Sequence, residues 1–302
     1  MDTPESTDDV ARPFPALTPA QRYHFDVYGY VVVQNTFDRP QRERLIEALE
    51  RLKQDMLATG DPDNAVVRGA RTNGIRPHYF RFARMLEADE AFFDYLTHPW
   101  LVGMVEEVIG GTVRYKESAA IISSRDPDAD PDDRQARIDD RLMKFHTGIR
   151  PGFGTYTENG LFHCIFVKAL TFLTEVGPDD GGTQVIAGSH KLKCPPEDMI
   201  ACANEDPSLV HQVTAPAGST LLFAEALIHA TAPVRSDRQR VVIIGGYGPM
   251  MSQVHLGMEP SDAFLEQLPQ KFKKLITGSD KWNWDERLRT LDMPSAHPPP
   301  LS

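Results

Sequence analysis

The sequence predicts a mainly β fold with flanking helices. Between Val113 and Tyr247, short apolar runs alternate with Gly, Pro and Asp, a pattern typical of many short strands joined by turns. Helical patterns occur before and after this region rather than between its strands. This order favours a sandwich or barrel over alternating β-α-β units, in which helices separate the strands.

Helices are predicted in the amino-terminal part and again near the carboxyl end. Thr18 and Pro19 are an N-cap followed by a proline in the first turn, which indicates a helix start. Apolar residues at helical spacing predict further helices over 40–59, 91–109 and 261–275.

The strands are predicted from β-branched and aromatic runs bounded by turn residues. One run lies early and six follow in the central region: 29–33, then 119–123, 162–174, 183–186, 212–215, 220–223 and 240–246. An acidic stretch at 125–141 interrupts them. It is interpreted as a surface loop, with a mobile lid as the alternative.

The composition excludes several classes of protein. The chain has 302 residues and a net charge of −11, which argues against binding a nucleic-acid polymer because that requires a basic surface. No run approaches the roughly 18 apolar residues of a membrane span. The acidic amino terminus is unlike a signal peptide, and the three cysteines include no CxxC pair. A cytoplasmic location is therefore predicted.

Two histidines and an arginine in the central region form a candidate metal and anion site. His146 ends a strand-like run, His229 follows the run 220–223, and Arg240 begins the next run. Two histidines and one carboxylate are the ligands that hold iron in non-haem Fe(II) oxygenases. A guanidinium binds a carboxylate through two parallel hydrogen bonds. Gly148 stands two residues after His146, where such an enzyme has the carboxylate.

A series of motifs lies between the two histidines. They are a strand at 167–176, a turn at 177–182, a Gly-Ser-His-Lys sequence at 188–191 and a strand at 217–223. In this order they resemble the phytanoyl-CoA dioxygenase family of Fe(II)/2-oxoglutarate oxygenases, over about 18–248 of the chain. The resemblance implies a double-stranded β-helix, which is a cupin-like jelly-roll of two sheets.

The resemblance also implies roles for individual residues. His146 and His229 would bind iron. Arg240 would hold the distal carboxylate of 2-oxoglutarate, with Thr231 as a hydroxyl partner. Lys116, on a predicted strand ahead of His146, is a further candidate for contact with 2-oxoglutarate or substrate.

The chain is predicted to form a single catalytic domain. Its parts are a loose tail at 1–16, a helical amino-terminal part with a segment at the substrate mouth at 17–112, the jelly-roll core at 113–250, and a carboxy-terminal helix and tail at 251–302. By the same resemblance, His190 of the Gly-Ser-His-Lys motif is expected to form a structural hydrogen bond rather than to bind metal.

Gly148 departs from the family's His-x-Asp pattern and admits three interpretations. The first is similar to the 2-oxoglutarate halogenases, in which a glycine or alanine leaves room for chloride on the iron. Fe(II), 2-oxoglutarate, chloride and O2 would then all take part, and we take this as the first expectation. The second places the carboxylate at Glu117, Glu158 or Glu225 and makes the protein a hydroxylase. The third is a relative that binds a ligand without turnover.

An arginine-rich segment, 64–84, contrasts with the acidic composition. It contains five arginines and no acidic residue, with aromatic residues between them. It predicts a pocket for a small anionic substrate, such as a phosphorylated metabolite, with a solvated surface as the alternative. The residues assigned to this pocket are Arg71, Arg76, His78 and Arg81, with His163 from a later strand. Together with a halogenase-type site, the segment resembles the nucleotide chlorinases that act on deoxyadenosine monophosphate. The sequence gives no indication of the oligomeric state.

Overall fold

The computed structural model describes residues 16–76, 78–128, 143–148, 155–158, 161–192, 194–252 and 260–279. The α-helices in these residues are α1 (Pro19–Tyr28), α2 (Arg39–Leu57), α3 (Glu90–Leu96), α4 (Pro99–Ile109), α5 (Pro196–Glu205), α6 (Asp262–Glu266) and α7 (Gln270–Thr277). None of these helices has both the length and the apolar character that crossing a membrane requires.

Local capping interactions explain where the first two helices begin. At α1 the Thr18 side chain accepts a hydrogen bond from the Gln21 backbone N–H, and the Gln21 side chain accepts one from the Thr18 N–H. Asp38 and Gln41 repeat this arrangement at α2. A proline in the first turn of both helices supplies the helical φ without requiring a hydrogen-bonded N–H. The helices predicted from these signals are confirmed.

The strands are short, as the frequent turn residues predict. They are β1 (Tyr30–Val33), β2 (Val66–Val67), β3 (Ala70–Arg76), β4 (Tyr79–Ala83), β5 (Val113–Ser123), β6 (Met143–His146), β7 (Thr155–Glu158), β8 (Leu161–Cys164), β9 (Val167–Phe172), β10 (Thr183–Ile186), β11 (Val210–Gln212), β12 (Thr220–Ala224), β13 (His229–Thr231) and β14 (Arg240–Pro249). The predicted run 212–215 starts where β11 ends. Beyond that point only an isolated bridge between Val176 and Ala215 continues the pairing.

Two antiparallel sheets form the jelly-roll. The larger sheet has the order β1-β12-β9-β14-β5-β4-β3-β2, and the smaller has the order β11-β10-β13-β6. Strands β7 and β8 form a separate hairpin. Apolar side chains pack between the sheets, among them Leu170 and Val242 of the larger sheet and Val185 of the smaller one. The prediction of a mainly β fold with flanking helices is confirmed.

Helices cover the other face of the larger sheet. Leu49 of α2, Val105 of α4 and Ile243 of β14 belong to one buried cluster. Tyr95 of α3 is buried in this cluster, and its hydroxyl donates to the Ala169 carbonyl oxygen at 3.0 Å. Because the helices close this outer face, a site built on the larger sheet faces the smaller sheet.

The larger sheet extends beyond the predicted core at 113–250. Strands β1 to β4 precede that core in the chain and join the sheet, β1 at one edge and β4, β3 and β2 at the other. Sequence analysis predicted the first of these strands, as the run 29–33, and assigned the rest of 17–112 to helices and a segment at the substrate mouth. Most of the acidic segment 125–141 and of the two predicted tails lies outside the described residues.

The Gly-Ser-His-Lys motif connects α1 to the turn that precedes His229. The Ser189 hydroxyl accepts a hydrogen bond from the Ile228 N–H at 2.9 Å. The buried His190 ring lies 3.3 Å from the Asp26 carbonyl oxygen of α1 through its Nε2. Gly29 ends α1 at a φ of 82°, and a Cβ there would collide with the His190 ring. The predicted structural role of His190 is confirmed.

Candidate metal and cosubstrate site

The pairing of β6 with β13 brings the two predicted metal ligands together. His146 lies directly opposite His229 in this antiparallel pair. Their ring centroids are 4.4 Å apart and the ring planes are inclined by 51°. Side chains of directly opposed residues lie on the same face of a sheet, so the two imidazoles can approach one ion.

Hydrogen bonding and burial prepare His229 as a ligand. Its Nδ1 lies 2.8 Å from the Leu227 carbonyl oxygen. Because a carbonyl oxygen can only accept, Nδ1 carries the proton and Nε2 presents a lone pair. Burial is the main cause that lowers the pKa of His229, to about 4, and the neighbouring His146 also lowers it. The ring is therefore neutral near pH 7, which is the form that binds a metal ion.

Arg240 is a buried guanidinium on the surface of the larger sheet that faces the smaller one. It lies on the same side of β14 as Val242, which packs between the sheets, and is 1% exposed. Its Nε and Nη1 atoms have no hydrogen-bond partner among the described residues. Burial lowers the pKa of Arg240 to about 10, while the nearby Tyr79 raises it. The arginine stays charged at neutral pH, so its position suits an anionic ligand.

The two other residues predicted to contact 2-oxoglutarate differ in their placement. Thr231 lies on β13 opposite Thr183, and its role stays a prediction. Lys116 lies in the irregular part of the β5–β14 pairing, with its amine 4.8 Å from the Phe166 ring centroid. Arg240 pairs instead with Ser123. At about 3.3 Å per residue, more than 20 Å of strand separates the two positions. The structure does not bring Lys116 to Arg240, and Lys116 is not retained in the cosubstrate site.

A buried carboxylate, Glu225, lies in the turn between β12 and β13. Its Oε1 is 3.1 Å from Lys168 Nζ, and its Oε2 is 3.9 Å from His229 Nε2. Lys168 of β9 also pairs with Glu117 of β5. Burial by itself raises the pKa of Glu225, but the charge of Lys168, followed by the histidines, outweighs burial and holds the pKa below its ordinary value. Glu225 is therefore a carboxylate at neutral pH.

Gly148 lies against this carboxylate. Its N–H donates to the Glu225 backbone carbonyl oxygen at 3.0 Å. A Cβ added to Gly148 would lie 2.5 Å from Glu225 Oε2 and 2.6 Å from Cδ. The Glu225 carboxylate therefore lies where a side chain at position 148 would begin, and the chloride expected at this position stays a prediction. In the described part of the chain, no three His, Cys, Asp or Glu side chains converge closely enough to form a finished metal site.

The arginines assigned to substrate binding lie on β3 and β4. Tyr79 pairs with Arg76, and Arg81 shares its side of β4. Burial raises the pKa of Tyr79, while Arg81, Arg240 and Arg76 lower it, so three cations lie near this ring. The Arg81 Nε is buried and has no hydrogen-bond partner in the described part of the structure. These residues form a basic surface beside the candidate cosubstrate site.

The remaining residues assigned to the substrate are placed differently. Arg71 is exposed and pairs with Ala83, farther from Arg240. His78 lies in the turn between β3 and β4, with its Nε2 3.7 Å from Asp126 Oδ1, so it contacts an acidic group at the tip of the hairpin. The side chain of His163 lies outside the described part of the structure. Their substrate roles stay predictions.

Sequence analysis missed Lys168 and did not single out Glu225 from the other candidate carboxylates. Glu225 was one of three possible carboxylates, and the side chain of a second, Glu158, lies outside the described residues. The spacing of Glu225 four residues before His229 was the signal that could have selected it. Lys168 was not considered, because a lysine on a predicted strand reads as a solvated residue unless the register is known.

Comparison with known proteins identifies the family. The family model described as phytanoyl-CoA dioxygenase (PhyH) matches residues 25–242. The chain belongs to the phytanoyl-CoA dioxygenase family. It is therefore a member of a family of non-haem iron, 2-oxoglutarate-dependent oxidoreductases. A search of curated protein sequences gives no significant match.

Several solved structures have a similar fold. HygX from Streptomyces hygroscopicus, with nickel and 2-oxoglutarate bound, is 23% identical with a TM-score of 0.59, covering 77% of this chain and 87% of HygX. The carbocyclase SnoK from nogalamycin biosynthesis is 15% identical with a TM-score of 0.56, covering 84% and 91%. The epimerase SnoN, in complex with Fe3+, α-ketoglutarate and nogalamycin RO, is 19% identical with a TM-score of 0.56, covering 89% and 94%. The jelly-roll prediction is confirmed.

Proposed function

We propose that this chain is an Fe(II)- and 2-oxoglutarate-dependent oxygenase that hydroxylates a C–H bond of a small anionic molecule. The main support is Arg240, a buried guanidinium without a partner for its Nε and Nη1 among the described residues. An unpaired buried charge is strongly unfavourable. A carboxylate cosubstrate bound between the sheets would supply the missing partner, and the paired His146 and His229 lie on the sheet opposite.

The residues present fit the proposed cofactors. Two neutral imidazoles are suitable ligands for Fe(II), and the hydrogen bond from His229 to Leu227 orients the ring. Arg240 would bind the distal carboxylate of 2-oxoglutarate through two parallel hydrogen bonds, with Thr231 as the proposed hydroxyl partner. Bound iron supplies the oxidation chemistry, in which O2 and 2-oxoglutarate give succinate, CO2 and one oxygen atom for the substrate.

Removal of one histidine tests this function. His229→Ala is expected to lower Fe(II)-dependent succinate formation from 2-oxoglutarate by about 100-fold or more, because the metal loses a ligand and its orienting hydrogen bond. Succinate release is measured anaerobically and in air, with and without added Fe(II). With the wild-type protein, only the mixture that contains Fe(II), 2-oxoglutarate and O2 should produce it.

The exposed His211 of β11 provides the matched control. His211→Ala removes an imidazole of the same strand system without approaching His146, so succinate formation should equal that of the wild type. Full turnover by His229→Ala would refute the metal assignment. Absence of succinate with every metabolite tested would instead favour a relative that binds without turnover.

Gly148 supports a second candidate function, halogenation. It has no side chain to act as a ligand, which is the feature that halogenases of this type share with the chain. The two functions differ in their products when chloride and bromide are supplied separately. Hydroxylation adds one oxygen whichever halide is present, whereas halogenation adds chlorine or bromine, which mass spectrometry recognises by its isotope doublet. The position of Glu225 beside Gly148 is the reason for preferring hydroxylation.

The substrate that we propose is a small anion. HygX has been solved with hygromycin B and SnoN with nogalamycin RO, so enzymes of this fold accept small molecules. The negative charge is inferred from the cations around Tyr79, of which Arg81 has a buried Nε without a partner in the described residues. A phosphate or carboxylate would pair with these guanidinium groups, and the Tyr79 ring could pack against the rest of the molecule. Nucleoside monophosphates are one group of compounds with this chemistry.

Neutralising Arg81 tests the charge of the substrate. Nucleoside monophosphates, acyl-CoA esters and carboxylic acids are screened for stimulation of succinate formation. For the compound that stimulates it, Arg81→Met is expected to raise KM at least about tenfold while leaving the KM for 2-oxoglutarate unchanged. Arg44→Met, at a surface arginine that pairs with Asp94, is the control and should change neither. An unchanged KM in Arg81→Met would contradict the assignment.

A further inference from the structure

The backbone of Glu225 is fixed on both sides of its side chain. Its N–H donates to the Phe166 carbonyl oxygen at 2.9 Å, and its carbonyl oxygen accepts from Gly148 at 3.0 Å. The second bond ties the turn before β13 to Gly148, the second residue after β6. The two strands that present His146 and His229 thus also determine where the Glu225 carboxylate lies.

The two oxygens of this carboxylate have different surroundings. Oε1 is 3.1 Å from the Lys168 amine, whereas Oε2 has no hydrogen-bond partner among the described residues. Glu225 is 5% exposed, so water does not readily satisfy Oε2. A buried carboxylate oxygen without a partner is unfavourable, because it loses its hydrogen bonds to water and gains none from the protein. A cation beside Oε2 would remove that penalty.

The distances agree with a shared cation. Oε2 is 3.9 Å from His229 Nε2. Two donor atoms that each lie about 2.1 Å from one ion, at right angles, are about 3 Å apart. A side-chain movement of about 1 Å by Glu225 therefore completes this pair of ligands. Lys168 contacts two carboxylates, Glu117 and Glu225, but carries a single positive charge. One negative charge of these three side chains therefore remains for the metal.

A side chain at Gly148 would require the end of the Glu225 side chain to move. A Cβ at Gly148 would lie 2.5 Å from Glu225 Oε2, closer than non-bonded atoms approach. A family member with aspartate at this position would place a second carboxylate in the same space. Gly148 therefore leaves room for the Glu225 carboxylate. In this chain the carboxylate comes from the turn between β12 and β13 rather than from position 148.

We infer that Glu225 is the third protein ligand of the iron and that Lys168 positions it. This inference rests on the proposed function, because it requires iron at His146 and His229. It assigns the coordination position opposite Gly148 to a carboxylate rather than to chloride. Lys168 is a positioning residue, since it contacts Glu225 and not the metal.

Binding of Co(II) to the full chain tests the inference without turnover. Glu225→Gln keeps the size of the side chain and an oxygen for Lys168 but removes the charged ligand, and it is expected to weaken Co(II) binding about 100-fold or more. Glu43→Gln, at an exposed carboxylate of α2 that pairs with Arg39, is the control and should change the affinity by at most about threefold. Calorimetry or competition with a chelator gives both values, and circular dichroism checks the fold of each variant.

The outcomes separate the inference from the function on which it rests. Equal Co(II) affinity in Glu225→Gln and wild type, with loss in His229→Ala, overturns the assignment of Glu225 alone. A wild-type protein that binds no Co(II) overturns the proposed function as well. A purely structural ion pair with Lys168 would lower the unfolding temperature without changing metal affinity.

A second measurement uses chloride as the probe and compares the wild-type protein with Glu225→Ala. Chloride is added to the Co(II) protein while its visible absorption spectrum is recorded. With Glu225 in the third position, chloride should leave the wild-type spectrum unchanged, and Glu225→Ala should acquire a chloride-dependent change. A chloride response of the wild type equal to that of Glu225→Ala overturns the inference.

Discussion

Arg240→Met is expected to weaken the binding of 2-oxoglutarate strongly and to stabilise the protein in the absence of 2-oxoglutarate. The loss follows from the charge-assisted hydrogen bonds that the guanidinium gives a carboxylate. Removing one partner of such a buried pair is unfavourable by about 3–4 kcal/mol, which corresponds to roughly a 10²- to 10³-fold weaker affinity. Methionine has a similar length and needs no counter-ion. Isothermal titration with 2-oxoglutarate in the presence of Co(II) measures the affinity.

The gain in stability follows from the burial of Arg240. Its pKa is lowered to about 10, chiefly by burial, so the side chain is still charged at neutral pH in both the folded and the unfolded chain. In the folded state Arg240 begins to lose its proton near pH 10, whereas in the unfolded chain it stays protonated to higher pH. The free-energy penalty of the buried charge would therefore begin to fall only as the pH rises above about 10. At pH 7 the penalty is present in full. Urea unfolding without 2-oxoglutarate should therefore show Arg240→Met to be more stable by about 1–3 kcal/mol.

A control at a surface arginine separates the effects of Arg240→Met from the general effect of losing a positive charge. Arg39 is exposed and pairs with Glu43 on α2. Arg39→Met should leave both the stability and the affinity for 2-oxoglutarate at their wild-type values, because an exposed ion pair contributes little. Wild-type affinity in Arg240→Met would contradict the cosubstrate site. If Arg240→Met is much less stable than the wild type without 2-oxoglutarate, Arg240 has a structural partner in the protein instead.

Features that depend on short stretches of chain were predictable from the sequence. Thr18 and Asp38 are capping residues whose partners lie three residues away, so the pattern and the hydrogen bonds coincide. The division between helices and strands follows from periodicity in the same way. The family resemblance placed His146 and His229 together, and the register of β6 with β13 agrees with that pairing.

Features that depend on register across strands were not predictable. Lys116 and Glu117 are neighbours, but Glu117 pairs with Gly246 of β14, which pairs on its other side with Lys168 of β9, so Glu117 is the one that lies beside Lys168. Sequence analysis chose Lys116 for the cosubstrate site, whereas the structure brings Glu117 towards Glu225 through Lys168. A shift of one residue in the strand register moves a side chain to the opposite face of the sheet. The periodicity of the sequence does not show which register forms.

The interpretation of Gly148 shows the same difference between local and spatial information. Within its own segment, the residue is a missing carboxylate, and chloride is a reasonable replacement. Its neighbour in space, Glu225, lies far along the chain and becomes adjacent only because β6 pairs with β13. An anion is therefore already present beside Gly148, and placing chloride there would bring two negative charges together.

Moving the carboxylate back to its usual position should recover a metal site. Gly148→Asp alone is expected to weaken Co(II) binding at least about tenfold, because its Cβ would overlap the Glu225 carboxylate and two negative charges would compete for one space. Glu225→Ala alone should lose the third ligand. The double variant Gly148→Asp, Glu225→Ala removes the overlap and restores one carboxylate. It should bind Co(II) at least about tenfold more tightly than either single variant, which a double-mutant cycle measures as coupling.

The backbone at this position permits the exchange. Gly148 is not among the residues with positive φ, so aspartate is compatible with its conformation and the side chains alone determine the outcome. Non-additive recovery would mean that Gly148 and Glu225 occupy one coordination position from two strands. A double variant that binds Co(II) no better than Glu225→Ala would mean that the carboxylate beside Gly148 serves Lys168 only. In that case the third position is open, and chloride becomes the preferred ligand.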